Sequence, residues 1–447
     1  MTGILRRPYA LTTVGAWSSV FLAAFESLAV TTIMPAVTAD LNGRSLYALA
    51  FSSTLAAGVV GMVAIGSWAD RRGPAVPLLV ATSLFVAGLL VAGTATTMPA
   101  FAAGRFLQGV GAGGETVALY VLVAQVYPPA LHIKLFGAFA SAWVVPSMIG
   151  PFAAGLVTDV WSWHWVFLGV VLLVAAATAL MVPALRGRDR PPADRLPVSP
   201  GDIRRIAQAA VVAATVVALS SLDGIDRHVA WLVAPAVLAV MALALRRLVP
   251  SGTYRLRPGL PAAVALCATA GGVFFGTEVY LPLLLHDRYG LPTWLSGITL
   301  TSGAVAWALA SAVQARLGER AAAATALRVG ALLLASGASV ELATVLWRLH
   351  PAVAALGWFA AGAGMGTLYP RISELVLAGS APDEAGFNTA AKSIADAVGG
   401  SASLAVAGLL FAIAPFAGPF TFATALGVVT VTVAFRASVP LPKVMTA

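Results

Sequence analysis

Long apolar segments, separated by short polar stretches, constrain this chain more than any other feature. Apolar side chains make up 59% of the sequence and charged ones 10%, which is too much apolar surface for a soluble domain. A bilayer accepts such a chain if its backbone is paired within helices or a closed barrel, and a spanning helix needs about 20 apolar residues. Suitable segments lie at about residues 12–37, 47–69, 74–94, 98–126, 131–158, 162–184, 206–222, 229–247, 261–285, 295–316, 322–346, 352–377, 386–413 and 417–437. The sequence therefore predicts an all-α membrane protein with fourteen transmembrane helices.

The predicted spans fall into groups of six, two and six. We expect an N-terminal six-helix bundle over residues 1–185 and a cytoplasmic linker over residues 186–205, whose charges and prolines cannot continue a membrane helix. An inserted transmembrane hairpin follows over residues 206–250, and a C-terminal six-helix bundle over residues 251–447. Arg6 and Arg7 precede the first segment without a clear cleavage site, which predicts an uncleaved first span.

The distribution of arginine and lysine predicts the orientation. With the N-terminus inside, the inner loops hold most of these residues, whereas the outer loops hold Arg44, Arg227, Arg288 and Arg348. Positive residues concentrate on the cytoplasmic side, so we expect a multi-pass plasma-membrane protein with both termini in the cytoplasm. The net charge of +9 therefore indicates topology and not nucleic-acid binding.

The two halves of the chain repeat each other. Pro35 and Pro282 each precede a glycine by eight residues and are 247 positions apart. Similar offsets, between 249 and 253, separate Asp70 from Glu319, Gly104 from Gly357, Gly137 from Gly386 and Gly150 from Gly399. Duplicated bundles around a midplane site are an architecture for alternating access. The predicted fold is thus two pseudo-symmetric six-helix bundles plus an inserted two-helix hairpin.

Three polar side chains share one face of the fourth span. At 100° per residue, Arg105, Gln108 and Glu115 fall within a stripe of about 80°. Ionisable residues inside a membrane usually face a cavity or a partner. The small residues between them let a neighbouring helix come close. We expect this stripe to form the wall of a polar cavity. Trp358 occupies the position of Arg105 in the second half, so the halves have divided roles.

The loop between the second and third spans, residues 66–73, reads GSWADRRG. It resembles motif A of the major facilitator superfamily, in which a glycine is followed after three residues by Asp-Arg and then by another glycine. The resemblance covers the whole chain and implies that Gly66, Asp70, Arg71 and Gly73 form a conformational switch. Asp70 would meet the positive end of the thirteenth span, near residues 385–388. Alternatively, the arginines serve only as cytoplasmic positive charges.

Two further stretches resemble motifs of this superfamily. Residues 105–109, RFLQG, resemble motif B, and its expected partner is Glu26, nine residues before Pro35. That spacing is similar to the first-span motif of the fourteen-spanning drug and proton antiporters. Residues 150–155, GPFAAG, resemble motif C of antiporters through Gly150, Pro151 and Gly155. The alternative for this last stretch is a helix kinked by proline and packed through small residues.

Other ionisable residues in the spans have two interpretations each. Glu278 is either a second acid in the cavity or a surface partner of Arg288. Arg371 with Glu374, and Lys392 with Asp396, stand at helical spacings at which self-pairing is favoured. We expect Glu341, near a helix end, to extend towards the interface. The histidines lie at span ends without ligand spacing, and Cys267 is alone, so we predict no metal.

These observations predict a proton-coupled secondary transporter that exports small lipophilic or cationic organic compounds by alternating access. A low-dielectric site disfavours an ionised carboxyl group and a nearby arginine favours it, so protons and substrate can compete for the same acids. The proton-coupling residues are Glu26, Arg105 and Glu115. The predicted substrate-binding residues are Glu26, Gln108, Glu115, Trp143, Glu278, Trp358 and Tyr369.

The alternative within transport is an exporter or symporter of one endogenous metabolite. We expect no enzymatic activity, and no cofactor beyond a proton gradient. The expected partners are a small-molecule substrate, protons and the lipid bilayer. The resemblance implies a monomer.

Overall fold

The computed structural model describes residues 3–186, 197–222, 227–317, 322–380 and 384–438. Its helices are α1 Ala10–Asp40, α2 Tyr47–Arg72, α3 Ala75–Gly93, α4 Met98–Val126, α5 Pro129–Val160, α6 His164–Leu185, α7 Pro200–Ser220, α8 Arg227–Leu245, α9 Leu260–Glu278, α10 Tyr280–Tyr289, α11 Thr293–Leu317, α12 Ala323–Trp347, α13 Pro351–Ala378, α14 Ala385–Ile413 and α15 Ala417–Ala437. Over these ranges the regular structure is helical throughout.

Fourteen candidate membrane spans occur in the described part of the chain, and α9 with α10 forms one of them, Leu260–Tyr289. The predicted all-α class and the number of spans are therefore confirmed. The linker residues 187–196, the hairpin turn 223–226 and the Glu319–Arg320 landmark lie outside the described residues.

Local sequence signals set two helix boundaries that differ from the predictions. Helix α7 begins at Pro200, six residues before the predicted start. The Ser199 hydroxyl accepts from the Asp202 backbone N–H at 3.1 Å, and the Asp202 carboxylate accepts from the Ser199 backbone N–H at 3.1 Å. This reciprocal arrangement is a capping box, and it satisfies two donors that a helix start otherwise leaves free.

The predicted ninth span is interrupted between α9 and α10. Helix α9 ends at Glu278 and α10 begins at Tyr280. Pro282 has no N–H to donate to the carbonyl group four residues earlier, at Glu278. The prolines of the two halves therefore act differently, because Pro35 lies inside a continuous α1.

The chain divides into two compact units. Unit 1 contains residues 1–217 and 286–301, and unit 2 contains residues 218–285 and 302–447. Unit 1 has an apolar core that includes Leu78, Leu119, Leu135 and Met181. In unit 2, α8 of the central hairpin packs on α14 through an apolar cluster formed by Leu219, Leu222, Ala230, Ala234, Ala405 and Leu409.

Close helix crossings repeat in the two units. In unit 1, a methyl group on Gly113 of α4 would overlap the carbonyl oxygen of Gly58 on α2. In unit 2, a methyl group on Gly362 of α13 would overlap the carbonyl oxygen of Gly303 on α11. Membrane helices associate through such close backbone contacts because, in lipid, the burial of apolar side chains provides little driving force for helix association. Each unit thus builds its crossing from a pair of glycines at corresponding places.

Candidate functional site

A buried polar cluster joins α1 and α4 in unit 1. Arg105 Nη1 donates to Glu26 Oε1 and, at 3.0 Å, to Gln108 Oε1. Gln108 Nε2 donates to the same Glu26 oxygen at 3.0 Å. The exposed fractions are 3% for Glu26, 3% for Arg105 and 1% for Gln108, so the cluster is sealed. The structure thus brings together Glu26 and Arg105, as predicted from the sequence. Gln108, one helical turn after Arg105, joins them.

This cluster leaves part of its hydrogen-bonding capacity unused. Arg105 Nε is buried and has no hydrogen-bond partner in the described chain. A guanidinium offers five N–H donors, and a buried donor without a partner is costly. The guanidinium therefore keeps one donor that no group in the described chain satisfies.

Glu115 lies nearly three turns along α4 and does not join this cluster. Its exposed fraction is 4%, and its Oε1 atom has no hydrogen-bond partner among the described residues. Ser19 of α1 is its polar neighbour, and the Ser19 hydroxyl is also buried without a hydrogen bond. The predicted stripe is therefore split into a closed ion pair and an isolated acid, both between α1 and α4.

The motif A stretch was expected to be a loop, but its residues 66–72 form the end of α2. It contacts the first helix of the central hairpin. Arg71 Nη1 donates to Asp202 Oδ2 at 3.0 Å, and the same Asp202 oxygen accepts from the Ser199 hydroxyl at 2.8 Å. Gly73 ends α2 with φ of 94°, a conformation that favours glycine. Asp70 is exposed. Its predicted partner near residues 385–388 belongs to unit 2, and that contact stays a prediction.

The motif C stretch lies against the first turns of α11, both within unit 1. A methyl group on Gly155 would come within 2.7 Å of the Trp294 Cα atom, and one on Gly297 within 2.5 Å of the Pro151 carbonyl oxygen. The Trp294 backbone N–H donates to Asp159 Oδ2 at 3.2 Å. These contacts correspond to the alternative interpretation of the stretch, in which small residues serve helix packing. Gly150 instead borders the Phe25 ring.

An aromatic cluster in unit 2 contains Trp358, the residue that takes the position of Arg105 in the second half of the chain. Trp358 is 1% exposed and stacks on Phe274, with ring centroids 4.5 Å apart. Trp307 contacts Phe274 at 5.3 Å and Tyr369 at 5.3 Å. The structure thus connects the predicted Trp358 and Tyr369 through neighbouring rings. In contrast, Trp143 of unit 1 is 50% exposed.

Two further acids in unit 2 are buried. Glu278 ends α9 at the interruption of the span, is 6% exposed and forms no ion pair within the described residues. Glu341 is fully buried, and both of its carboxyl oxygens lack a hydrogen bond in the described chain. The prediction that Glu341 extends towards the interface is wrong. Gly357 of α13 lies against its side chain, and the missing Cβ there leaves room for the carboxyl group between the helices.

The two predicted self-pairs behave differently. Arg371 Nη1 donates to Glu374 Oε2 at 2.8 Å, which confirms that pair, and Arg371 Nε also donates to Gln314 at 3.1 Å. Lys392 and Asp396 form no ion pair within the described residues. The Lys392 Nζ atom lies over the Tyr369 ring, 4.6 Å from its centroid. Sequence spacing misses this contact because the ring belongs to a different helix.

The described ranges contain no group of three or more histidine, cysteine, aspartate or glutamate residues that could hold a metal ion.

Comparison with known proteins identifies the family. The profile described as Major Facilitator Superfamily matches residues 16–403, and the chain therefore belongs to this superfamily of transporters. A probable multidrug-efflux transporter of Mycobacterium tuberculosis (strain ATCC 25618 / H37Rv) is 25% identical over 400 residues, which cover 85% of this chain and 82% of the relative. The MFS-type transporter gkaD of Penicillium citrinum is 26% identical over 284 residues, 62% of this chain and 48% of the relative. The match thus spans about half the length of that second relative.

Solved structures share the fold. A variant of peptide transporter POT in complex with alafosfalin has a TM-score of 0.69 at 15% identity, with 97% of this chain and 96% of that chain covered. The human organic anion transporter MFSD10 has a TM-score of 0.63 at 16% identity, with 96% and 100% covered. The predicted major facilitator fold is therefore confirmed, and this protein is a multi-pass membrane transporter of the major facilitator superfamily.

Proposed function

We propose that this transporter exports small lipophilic or cationic organic compounds in exchange for protons, by alternating access. The observation that carries the proposal is the sealed Glu26–Arg105–Gln108 cluster, in which one carboxylate oxygen accepts from two different side chains. A buried ion pair contributes little net stability, whereas breaking it by removing one charge is costly. A cluster of this kind inside a membrane span suits a switch better than a scaffold.

The proton acts at Glu26 in this scheme. Protonation of Glu26 neutralises the acid and releases the Arg105 guanidinium, and loss of the proton restores the pair. Glu115, whose Oε1 atom has no hydrogen-bond partner within the described residues, offers a second carboxyl group on the same helix pair for a cationic substrate or a proton. Substrate and proton therefore compete for acids on α1 and α4.

The direction of transport and the substrate class rest on resemblance and on chemistry. The relative from Mycobacterium tuberculosis that covers most of this chain is named a probable multidrug-efflux transporter. Aromatic rings attract planar cations through their π faces. We further propose a monomer in the plasma membrane with both termini in the cytoplasm, because positive residues concentrate on the inner loops.

Inverted membrane vesicles test this function with ethidium as the probe. An interior-acid gradient should drive ethidium into vesicles that contain the wild-type protein, and collapse of the gradient should release it. Glu26→Gln should abolish accumulation driven by the gradient. Glu374→Gln is the matched control, because this carboxylate is 57% exposed and its amide replacement still accepts from Arg371.

Three outcomes would reject parts of the proposal. Accumulation that ignores the gradient rejects proton coupling. Normal transport by Glu26→Gln removes Glu26 from the mechanism. Inactivity towards a panel of cations, with transport of one metabolite, supports the alternative of a dedicated metabolite exporter or symporter.

A further inference from the structure

Four polar side chains from three helices meet inside unit 2. Cys267 lies on α9, Tyr369 on α13, and Lys392 and Asp396 on α14. The Tyr369 hydroxyl and the Cys267 thiol both lie against the Asp396 carboxyl group. Of these residues, Cys267 is fully buried, whereas Lys392 and Asp396 are half-buried. The cluster is therefore less sealed than the Glu26–Arg105 pair, and solvent has access to it.

Lys392 forms no ion pair with Asp396 within the described residues. It precedes Asp396 by one helical turn, a spacing that permits an ion pair. Its ammonium group lies instead over the Tyr369 ring, 4.6 Å from the centroid. The direct attraction of an ammonium group to a ring face is weaker than its attraction to an ionised carboxylate within ion-pair distance. Lys392 would not be expected on the ring if Asp396 carried its full charge.

Asp396 has an oxygen that needs a partner. Its Oδ1 atom is buried and makes no hydrogen bond in the described chain. Gly271 on α9 borders this atom so closely that a methyl group there would overlap it. An ionised carboxylate with a bare buried oxygen is costly. A proton on the carboxyl group removes that cost, and so does the approach of a cation.

We propose that Asp396 is a second proton-binding group of the transporter, and that Lys392 takes the place of the proton when it leaves. With the proton bound, Asp396 is neutral. Lys392 then keeps the position over the Tyr369 ring that this structure shows. When the carboxyl O–H bond breaks and the proton passes to solvent, Lys392 moves from the ring to the carboxylate. The proposal rests on the proposed proton coupling and adds a second site to it.

The ionisable groups near Asp396 determine how its carboxyl group gains and loses a proton. Lys392 on the same helix, Tyr369 on α13 and Cys267 on α9 face the Asp396 carboxyl group. Helix α15, which also packs against α14, has a single ionisable residue, Arg436, in its last turn. Among the described residues of these helices, Lys392 is therefore the cation positioned to stabilise ionised Asp396.

Infrared difference spectroscopy tests the site without any substrate. The full-length protein in liposomes is compared at acidic and alkaline pH, and the carbonyl stretch of protonated carboxyl groups is followed. Asp396→Asn should lose one titrating carboxyl signal that wild type and Glu374→Gln retain. Lys392→Met should keep this signal but move its midpoint to higher pH, because the ionised acid has lost its replacement cation.

The results separate this inference from the proposed function. Identical titrating signals in wild type and Asp396→Asn overturn the inference, even if ethidium transport is proton-driven. If Asp396→Asn does not fold, an unshifted titration in Lys392→Met overturns it instead. A wild-type protein with the Asp396 signal but without gradient-driven transport retains the proton site and rejects the proposed function. In ethidium-transporting vesicles, Asp396→Asn should move fewer protons per ethidium than wild type.

Discussion

Arg105 and Glu26 stand 79 positions apart in the chain and meet inside unit 1 as an ion pair between α4 and α1. Each is 3% exposed, so water cannot replace either partner when the other is removed. Gln108 contacts both and fixes their arrangement. The Glu26 carboxylate and the Arg105 guanidinium therefore affect both the stability of the protein and its proposed function.

The first prediction concerns this pair. Arg105→Met should lower the free energy of unfolding by about 3 kcal/mol, because it leaves a buried carboxylate without its cation. The double variant Glu26→Leu with Arg105→Met should recover most of that loss, since neither charge then remains. Thermal unfolding of the purified variants measures both effects. Additive losses in the double variant would show that the two side chains do not depend on each other.

The second prediction concerns the contact between motif A and the central hairpin. Asp202→Ala removes the carboxylate half of the capping box and the Arg71 ion pair, and it should cost about 1 kcal/mol. Arg71→Gln removes the ion pair alone, and on a partly exposed surface it should cost less than about 1 kcal/mol. Hydrogen exchange of the first turn of α7 should therefore rise more in Asp202→Ala than in Arg71→Gln. Equal exchange in the two variants would mean that the Asp202 carboxylate contributes nothing to the cap.

The third prediction concerns the glycine crossings. Gly113→Ala and Gly362→Ala should each destabilise the protein by about 1–3 kcal/mol, because the added methyl group meets a backbone carbonyl oxygen that cannot move freely. Gly169 of α6 is the control, since a methyl group there meets no atom within 4 Å. Thermal unfolding in detergent compares the three variants. A Gly169→Ala loss as large as the other two would contradict the role of close helix approach.

The fourth prediction concerns Glu341. Its two carboxyl oxygens are buried and have no hydrogen-bond partner within the described residues, so Glu341→Met should raise the free energy of unfolding by about 1 kcal/mol. Glu341→Gln should give no such gain, because the amide also lacks partners in that position. Thermal unfolding distinguishes the two variants. A large loss in Glu341→Met would indicate a polar contact made in another state of the transporter.

The sequence predicted much of the fold because a bilayer acts on each segment locally. It imposes a minimum apolar length on every span, so hydropathy was enough to count fourteen spans. Local rules also governed the helix ends, and the Ser199-x-x-Asp202 pattern contained the signal for the true start of α7. The break after Glu278 follows in the same way from Pro282.

The partners of the buried polar groups were predictable only in part. Arg371 and Glu374 pair along one helix, where spacing determines distance. Lys392 and Asp396 also stand at a helical spacing that permits an ion pair. The Lys392 ammonium group lies instead over the Tyr369 ring, because α13 packs on α14 and brings this ring close. Glu341 is enclosed because Gly357 faces it across a helix contact.

By itself, the sequence determined where the chain crosses the membrane, that its halves repeat, and which few ionisable residues lie within the spans. The pairing of Arg105 with Glu26 was expected from the resemblance to a family motif. The tertiary structure alone decided that Gln108 donates to the same Glu26 oxygen, and that Glu115 Oε1 has no hydrogen bond and Asp396 no ion pair within the described residues. The physical reason is that length and polarity are properties of one segment. A contact between side chains depends instead on how helices distant in sequence rotate and approach each other.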